Sequence, residues 1–276
     1  METPTADRPD RAAAVSAGIL VVFVAVTGWW MLLIDGVSAV TGTEYTRGAH
    51  IVRAVGATLF VVPLIALIMR CPVRLRWSDL GLTGWWIGWK QFVSGAVCWA
   101  VPALLTLSVL VGAGRVELTV RAPVAEIAGA LLGLTVLVLL YEAIPEELVF
   151  RGYFFAVLAS RFAPVWAALG QAALFTAWGA LIGGQVSVDR IVLFVLFATL
   201  LGALRVVTGS LWSCMGFHTA FQVTVQFFGG AWTQMELHDP ELTVAAVAFV
   251  AVPFALTAVL LWWQRRSRRV TRAVPS

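Results

Sequence analysis

Six consecutive residues, Glu146-Glu147-Leu148-Val149-Phe150-Arg151, put three ionisable side chains between an apolar run that ends near Tyr141 and another that begins near Gly152. Only 12% of the chain is charged. A charge at the bilayer centre costs ~2.5–3.5 kcal/mol on the insertion scale, and charges kept at such depth are as a rule paired and functional. Glu147 and Arg151 stand at i and i+4 of a helix, where they can face each other as a supporting ion pair. Glu146 points about 100° away from Glu147 and is free to face a cavity. Pro145 lacks an N–H donor and bends the helix entering this knot, which can aim Glu146 inward. Glu142, one turn earlier, is expected at the interface.

The second polar pair, His218 and Gln222, is again at i and i+4, inside the apolar run Leu211 to Phe228. Imidazole exchanges a proton near neutral pH, and Gln222 offers an amide donor. Glu146 activating water, with His218 and Gln222 steadying an oxyanion, is the chemistry these types can perform. Gln226 extends the same stripe by one turn. Of the two other histidines, His50 and His238 fall at loop edges. Arg205 is expected to be a cytoplasmic flank.

These residues need a scaffold of membrane helices. The chain is 60% hydrophobic, with a mean hydropathy of +0.89, against about 45–50% apolar residues in a soluble domain. Thirteen tryptophans suit interface anchoring. Apolar stretches recur at 13–34, 51–69, 92–113, 123–142, 164–183, 190–207, 211–228 and 243–263, each near the length of a membrane span. The expectation is an all-α, polytopic integral membrane protein of about eight transmembrane helices. The ~10-residue alternating segments of a β-barrel are absent from the sequence. The N-terminal run lacks a small-residue cleavage site and reads as a retained helix.

Arginines fix the expected orientation. Arg265, Arg266, Arg268, Arg269 and Arg272 crowd the C-terminal tail, and cationic flanks stay cytoplasmic. Eight spans then put the N-terminus inside too, and the acidic loop with Glu236, Asp239 and Glu241 outside. The segment near 74–90 is too short and polar to span; with Trp77, Trp85, Trp86 and Trp89 it reads as an amphipathic stretch at the interface. The net charge of +4 sits beside membrane segments, so no nucleic-acid partner is expected. Cys71, Cys98 and Cys214 offer neither a disulfide framework nor metal-ligand spacing.

The knot EELVFRG, followed by Trp212 and then His218-Thr-Ala-Phe-Gln222, resembles the CPBP family. This is the CAAX-protease and bacteriocin-processing (Abi) family of intramembrane endopeptidases. The resemblance covers roughly residues 123–229, which are read as the catalytic core, between N-terminal helices over 1–122 and a final helix with a basic tail over 230–276. It implies that Glu146 activates water, that Glu147 neighbours it and that Arg151 is a structural partner. The family's Phe-x-x-x-His motif reads Phe175-Thr-Ala-Trp-Gly179 here, and its His-x-x-x-Asn motif reads His218 to Gln222. Gly179 cannot orient water or bind a metal, and Phe175 and Trp178 read as packing. A catalytic zinc site usually has three protein ligands; with Gly179 in the histidine's place, no metal and no cofactor is expected.

Three functional readings follow. The first is an intramembrane endopeptidase in which Glu146-activated water hydrolyses a peptide bond of a membrane-associated protein or peptide. The second is a non-proteolytic descendant that binds a membrane partner or a lipid-like ligand. The third is an acid–base enzyme acting on an apolar small molecule. Membrane lipid surrounds the protein in all three. Whether His50 or His238 reaches the cavity is a question for the tertiary structure.

Overall fold

The computed structural model describes residues 8–70, 74–184, 187–238 and 244–273. Cys71, Asp239 and Glu241 lie outside them. Eight helices are found among the described residues: α1 (Arg8–Thr41), α2 (Arg47–Ile68), α3 (Trp85–Gly112), α4 (Val124–Ala159), α5 (Pro164–Ile182), α6 (Val188–Thr208), α7 (Leu211–Phe227), and α8, which starts as a π-helical stretch (Val244–Ala251) and continues as Val252–Ala273. Seven of them are long and apolar enough to cross a membrane. The protein is thus an all-α, multi-pass membrane protein. The remaining apolar run, 211–228, forms α7, which at 17 residues is the shortest of the eight. Its length of roughly 26 Å at 1.5 Å per residue suffices because its neighbours, and not lipid, enclose most of it. Every residue from Cys214 to Thr219 is buried.

A small antiparallel pair joins β1 (Glu117–Val120) to β2 (Met235–His238), with Glu117 opposite His238 and Val120 opposite Met235. It ties the α3–α4 connection to the α7–α8 connection at one end of the bundle. Four-residue strands so far apart in sequence leave no local pattern, so the hydropathy reading passes over them. At the opposite end, Arg74–Lys90 divides at Gly84. Residues 77–81 form turns closed by Gly81 in the left-handed region (φ 84°), and Trp85–Lys90 begin α3. The side chains of Trp77, Trp85, Trp86 and Trp89 are exposed there, while Leu80 is fully buried.

Two close approaches set the relation between α3 and α7, across the boundary that the sequence reading draws at residue 122. A Cβ on Gly216 would collide with the backbone carbonyl of Phe92, and a Cβ on Gly95 with that of Ser213. Small residues permit such packing in membranes, where hydrophobic burial no longer distinguishes protein from lipid. Trp99 Nε1 donates to Phe249 O at 3.1 Å, and Thr257 Oγ1 to Cys98 O at 3.1 Å, which fix α8 against α3.

Helix α4 departs twice from α-helical geometry, over Leu139–Ala143 and Leu148–Phe154, where the bonding widens to the π pattern. Between them Ile144–Glu147 keeps α geometry, with Pro145 in its first turn. Each π stretch exposes a carbonyl that a side chain from another helix takes up: Thr58 Oγ1 of α2 donates to Leu140 O, and Arg205 Nε of α6 to Arg151 O. Eleven consecutive residues, Pro145 to Phe155, are buried, running from the α stretch through the second widened one.

Replacing Gly216 with leucine is expected to lower stability by about 1–3 kcal/mol or more, because the obstructing atoms are backbone and cannot rotate away. Gly129, whose Cβ direction is open, should accept leucine with little change. Thermal unfolding of the two detergent-solubilised variants against the parent checks this.

Candidate functional site

Helix α4 brings Glu142, Glu146, Glu147 and Arg151 to the face of α7 that carries His218, Gln222 and Gln226. Glu147 and Arg151 are both completely buried. Arg151 Nη1 donates to Glu147 Oε1 at 3.0 Å, and His218 Nδ1 lies 2.8 Å from the same oxygen. A carboxylate only accepts, so Nδ1 carries the hydrogen. That fixes the imidazole with Nε2 turned toward Glu146, 3.9 Å from Glu146 Oε2. The gap is too long for a direct hydrogen bond and is of the size that a bridging water spans. Among the described residues Glu146 makes no hydrogen bond. It is 7% exposed, whereas Glu147 is sealed.

Aromatic faces complete the enclosure. The Arg151 guanidinium lies 4.4 Å from the ring centre of Phe175 and 5.7 Å from that of Phe197. Phe197 also meets the His218 ring edge-on at 4.9 Å. Arg151 Nε and Nη2 and Glu147 Oε2 have no hydrogen-bond partner among the described residues. The ring quadrupoles therefore supply the stabilisation that donors and acceptors do not, a contribution of roughly 2 kcal/mol or more for a desolvated cation. Phe175 does more than pack: it is a platform for the cation that neutralises Glu147.

The remaining expected positions separate. Gln226 Nε2 donates to both oxygens of Glu142, at 2.8 and 2.9 Å, and Gln222 lies against the same carboxylate. Glu142 is therefore a part-buried member of the α4–α7 contact and not a group of the interface. Gln222 is engaged with it and not with Glu146 or His218. Gly179 is buried, and a Cβ there would come within 2.7 Å of the Phe194 ring; an aromatic ring fills the space next to it. His50 is buried but turned to Tyr45, whose hydroxyl lies 3.1 Å from Nδ1, and to the Tyr141 ring at 5.7 Å. His238 is exposed in β2. Neither touches Glu146 or His218 among the described residues.

Among the described residues no group of three His, Cys, Asp or Glu side chains converges as an ion site.

Arg205 corrects the sequence reading most. It is 7% exposed and gives hydrogen bonds to three carbonyls: Arg151 O at 3.2 Å, Gly209 O at 2.6 Å and Asp79 O at 3.1 Å. A lone arginine near the end of an apolar run has the same local pattern whether it snorkels to the interface or turns inward. The only sequence signal was that Arg205 is the sole charge between Ile191 and Val207.

Residues 127–224 match the family model Rce1-like, described as type II CAAX prenyl endopeptidase Rce1-like. The match agrees with the CPBP resemblance. It takes in Glu142, Glu146, Glu147, Arg151, Phe175, His218 and Gln222, and thus every group of the α4–α7 site except Gln226. No curated protein and no solved structure matches the chain.

Replacing Arg151 with methionine leaves the Glu147 carboxylate buried without its cation, so a loss of about 3–5 kcal/mol is expected. Adding Glu147→Gln to Arg151→Met should restore part of that loss, since the uncompensated charge is gone. Unfolding of the single and double variants in detergent measures both values.

Proposed function

We propose that this protein is an intramembrane endopeptidase that uses Glu146-activated water to cleave a peptide bond of a membrane-associated protein or peptide. The observation that carries the reading is the orientation of His218 Nε2 toward Glu146 Oε2 at 3.9 Å, set by Glu147. One proton shared between Glu146 and Nε2 leaves Glu146, Glu147, Arg151 and His218 with no net charge. With that proton on Nε2, ionised Glu146 takes a proton from water and the hydroxide adds to the scissile carbonyl carbon. The oxygen that becomes negative accepts the Nε2–H bond. Collapse of the tetrahedral intermediate breaks the C–N bond, and Glu146 returns its proton to the departing nitrogen. Gln222 stays on Glu142 in this scheme, and His218 alone faces the oxyanion. The family description makes a prenylated CAAX peptide the first substrate class to assay.

The bundle's alternation puts the β1–β2 pair at one membrane face and residues 160–163, Gly209 and the basic end of α8 at the other. The basic end supports a cytoplasmic location for the N- and C-termini. A cysteine at Thr233, in a chain freed of its native cysteines, should react with an impermeant maleimide on intact cells. One at Ala163 should react only after permeabilisation.

A non-cleaving binder is the second reading, and one observation favours it: Phe194 occupies the space beside Gly179, so a second general base has no room there. Wild type and Glu146→Gln, matched for membrane level, separate the two when released peptides are read by mass spectrometry and a farnesylated CAAX peptide is assayed in parallel. Cleavage should fall by about 10²–10⁴-fold in Glu146→Gln. An identical peptide set in both strains, with the farnesylated peptide untouched, would overturn the protease reading in favour of the binder.

A further inference from the structure

We infer that Arg205 is a positioning residue of the Glu146–His218 site, acting through the main chain of α4. The N–H of Phe155 bonds back to Phe150 O, five residues earlier, and α geometry resumes from Phe155. A return from five-residue to four-residue bonding passes over one carbonyl, which must find a donor elsewhere if it is buried. Arg205 Nε supplies a donor to Arg151 O in this stretch. Thr58 does the same for Leu140 O in the first π stretch, so the arrangement recurs in the helix.

The rest of the guanidinium is held rigidly. Its other nitrogens bond to Gly209 O and Asp79 O, and its carbon lies 5.0 Å from the Phe155 ring centre. Gly81, in the left-handed region, leaves the space that Arg205 occupies: a Cβ there would come within 2.6 Å of the guanidinium carbon. Leu211 N donates to Gly81 O at 2.9 Å, and Trp212 Nε1 to Thr83 O at 3.0 Å. The turn at 77–84 and the start of α7 are thereby anchored on the same guanidinium that holds the widened turn of α4. Arg151 belongs to that turn, and His218 lies on α7. Arg205 thus sets the distance between Arg151 and His218, which meet on Glu147 Oε1. Among the described residues its hydrogen bonds go to main-chain carbonyls and not to Glu146 or His218.

The inference rests on the protease reading for its kinetic consequence, and the experiment therefore has two independent readouts. The first is nitrogen-15 NMR of the histidines in the purified full chain, where the Nδ1–H of His218 bonded to Glu147 gives a downfield proton assignable by His218→Ala. The second is kcat and KM on a farnesylated CAAX peptide. In folded Arg205→Leu, with unchanged helix content, the downfield signal should be lost. kcat should fall by about 10²-fold, the scale of a 1 Å displacement, while KM changes little. Arg205→Lys, whose single ammonium cannot span three carbonyls, should show the same changes at smaller amplitude, and it carries the test if Arg205→Leu does not fold. A folded variant that keeps both the His218 signal and the wild-type kcat would overturn the inference. If wild type cleaves nothing, the protease reading fails, and the His218 signal by itself decides the positioning role.

Discussion

One carboxylate oxygen organises the interior of this protein. Glu147 Oε1 accepts from Arg151 on its own helix and from His218 on α7. All three groups are withdrawn from solvent. Removing any one leaves an ion or an imidazole without its compensating partner in a medium where electrostatic interactions are several times stronger than in water. The contact therefore holds α4 and α7 in one register. The glycine approaches of α3 to α7 and the phenylalanine rings around Arg151 follow from it. Gly95 and Gly216 allow α3 to lie directly behind His218's helix, and Phe175 and Phe197 cover the parts of the guanidinium that no acceptor reaches.

The π stretches of α4 let a single helix present so many polar groups to one neighbour. A regular α-helix spreads successive residues by about 100°; five-residue bonding widens the turn and shifts the faces. Here the α stretch and the widened turn after it bury eleven consecutive residues, Pro145 to Phe155, three of them charged types. The consequence is carbonyls that the helix no longer satisfies, and a side chain from another helix supplies a donor in each case. Local irregularity and long-range contact are two parts of one arrangement. This explains why an apparently peripheral arginine, Arg205, lies deep in the structure.

The two departures from the family motifs also have structural counterparts. The space next to Gly179 is taken by Phe194, so an aromatic ring stands beside the position of the motif's histidine. Gln222, longer than asparagine by one methylene, rests against Glu142, where Gln226 joins it. Each replacement belongs with a neighbour that it contacts.

Much of this was legible from the chain. Hydropathy periods gave the membrane helices because lipid exposure writes itself into long apolar runs. The i, i+4 spacing of Glu147 and Arg151 gave their pairing, since both partners lie on one helix. The spacing of His218 and Gln222 gave a shared helix face but not their partners, because what lies across that face belongs to another helix. For the same reason the burial of Glu142, the inward turn of Arg205, the filling of the Gly179 space and the β1–β2 pair were invisible: each depends on residues brought together from distant parts of the chain. The sequence by itself determined which helices form and which charges they carry into the membrane. Only the tertiary structure decided which charges meet, because a buried polar group is satisfied by whatever packing places within hydrogen-bonding distance, and local spacing does not encode that distance.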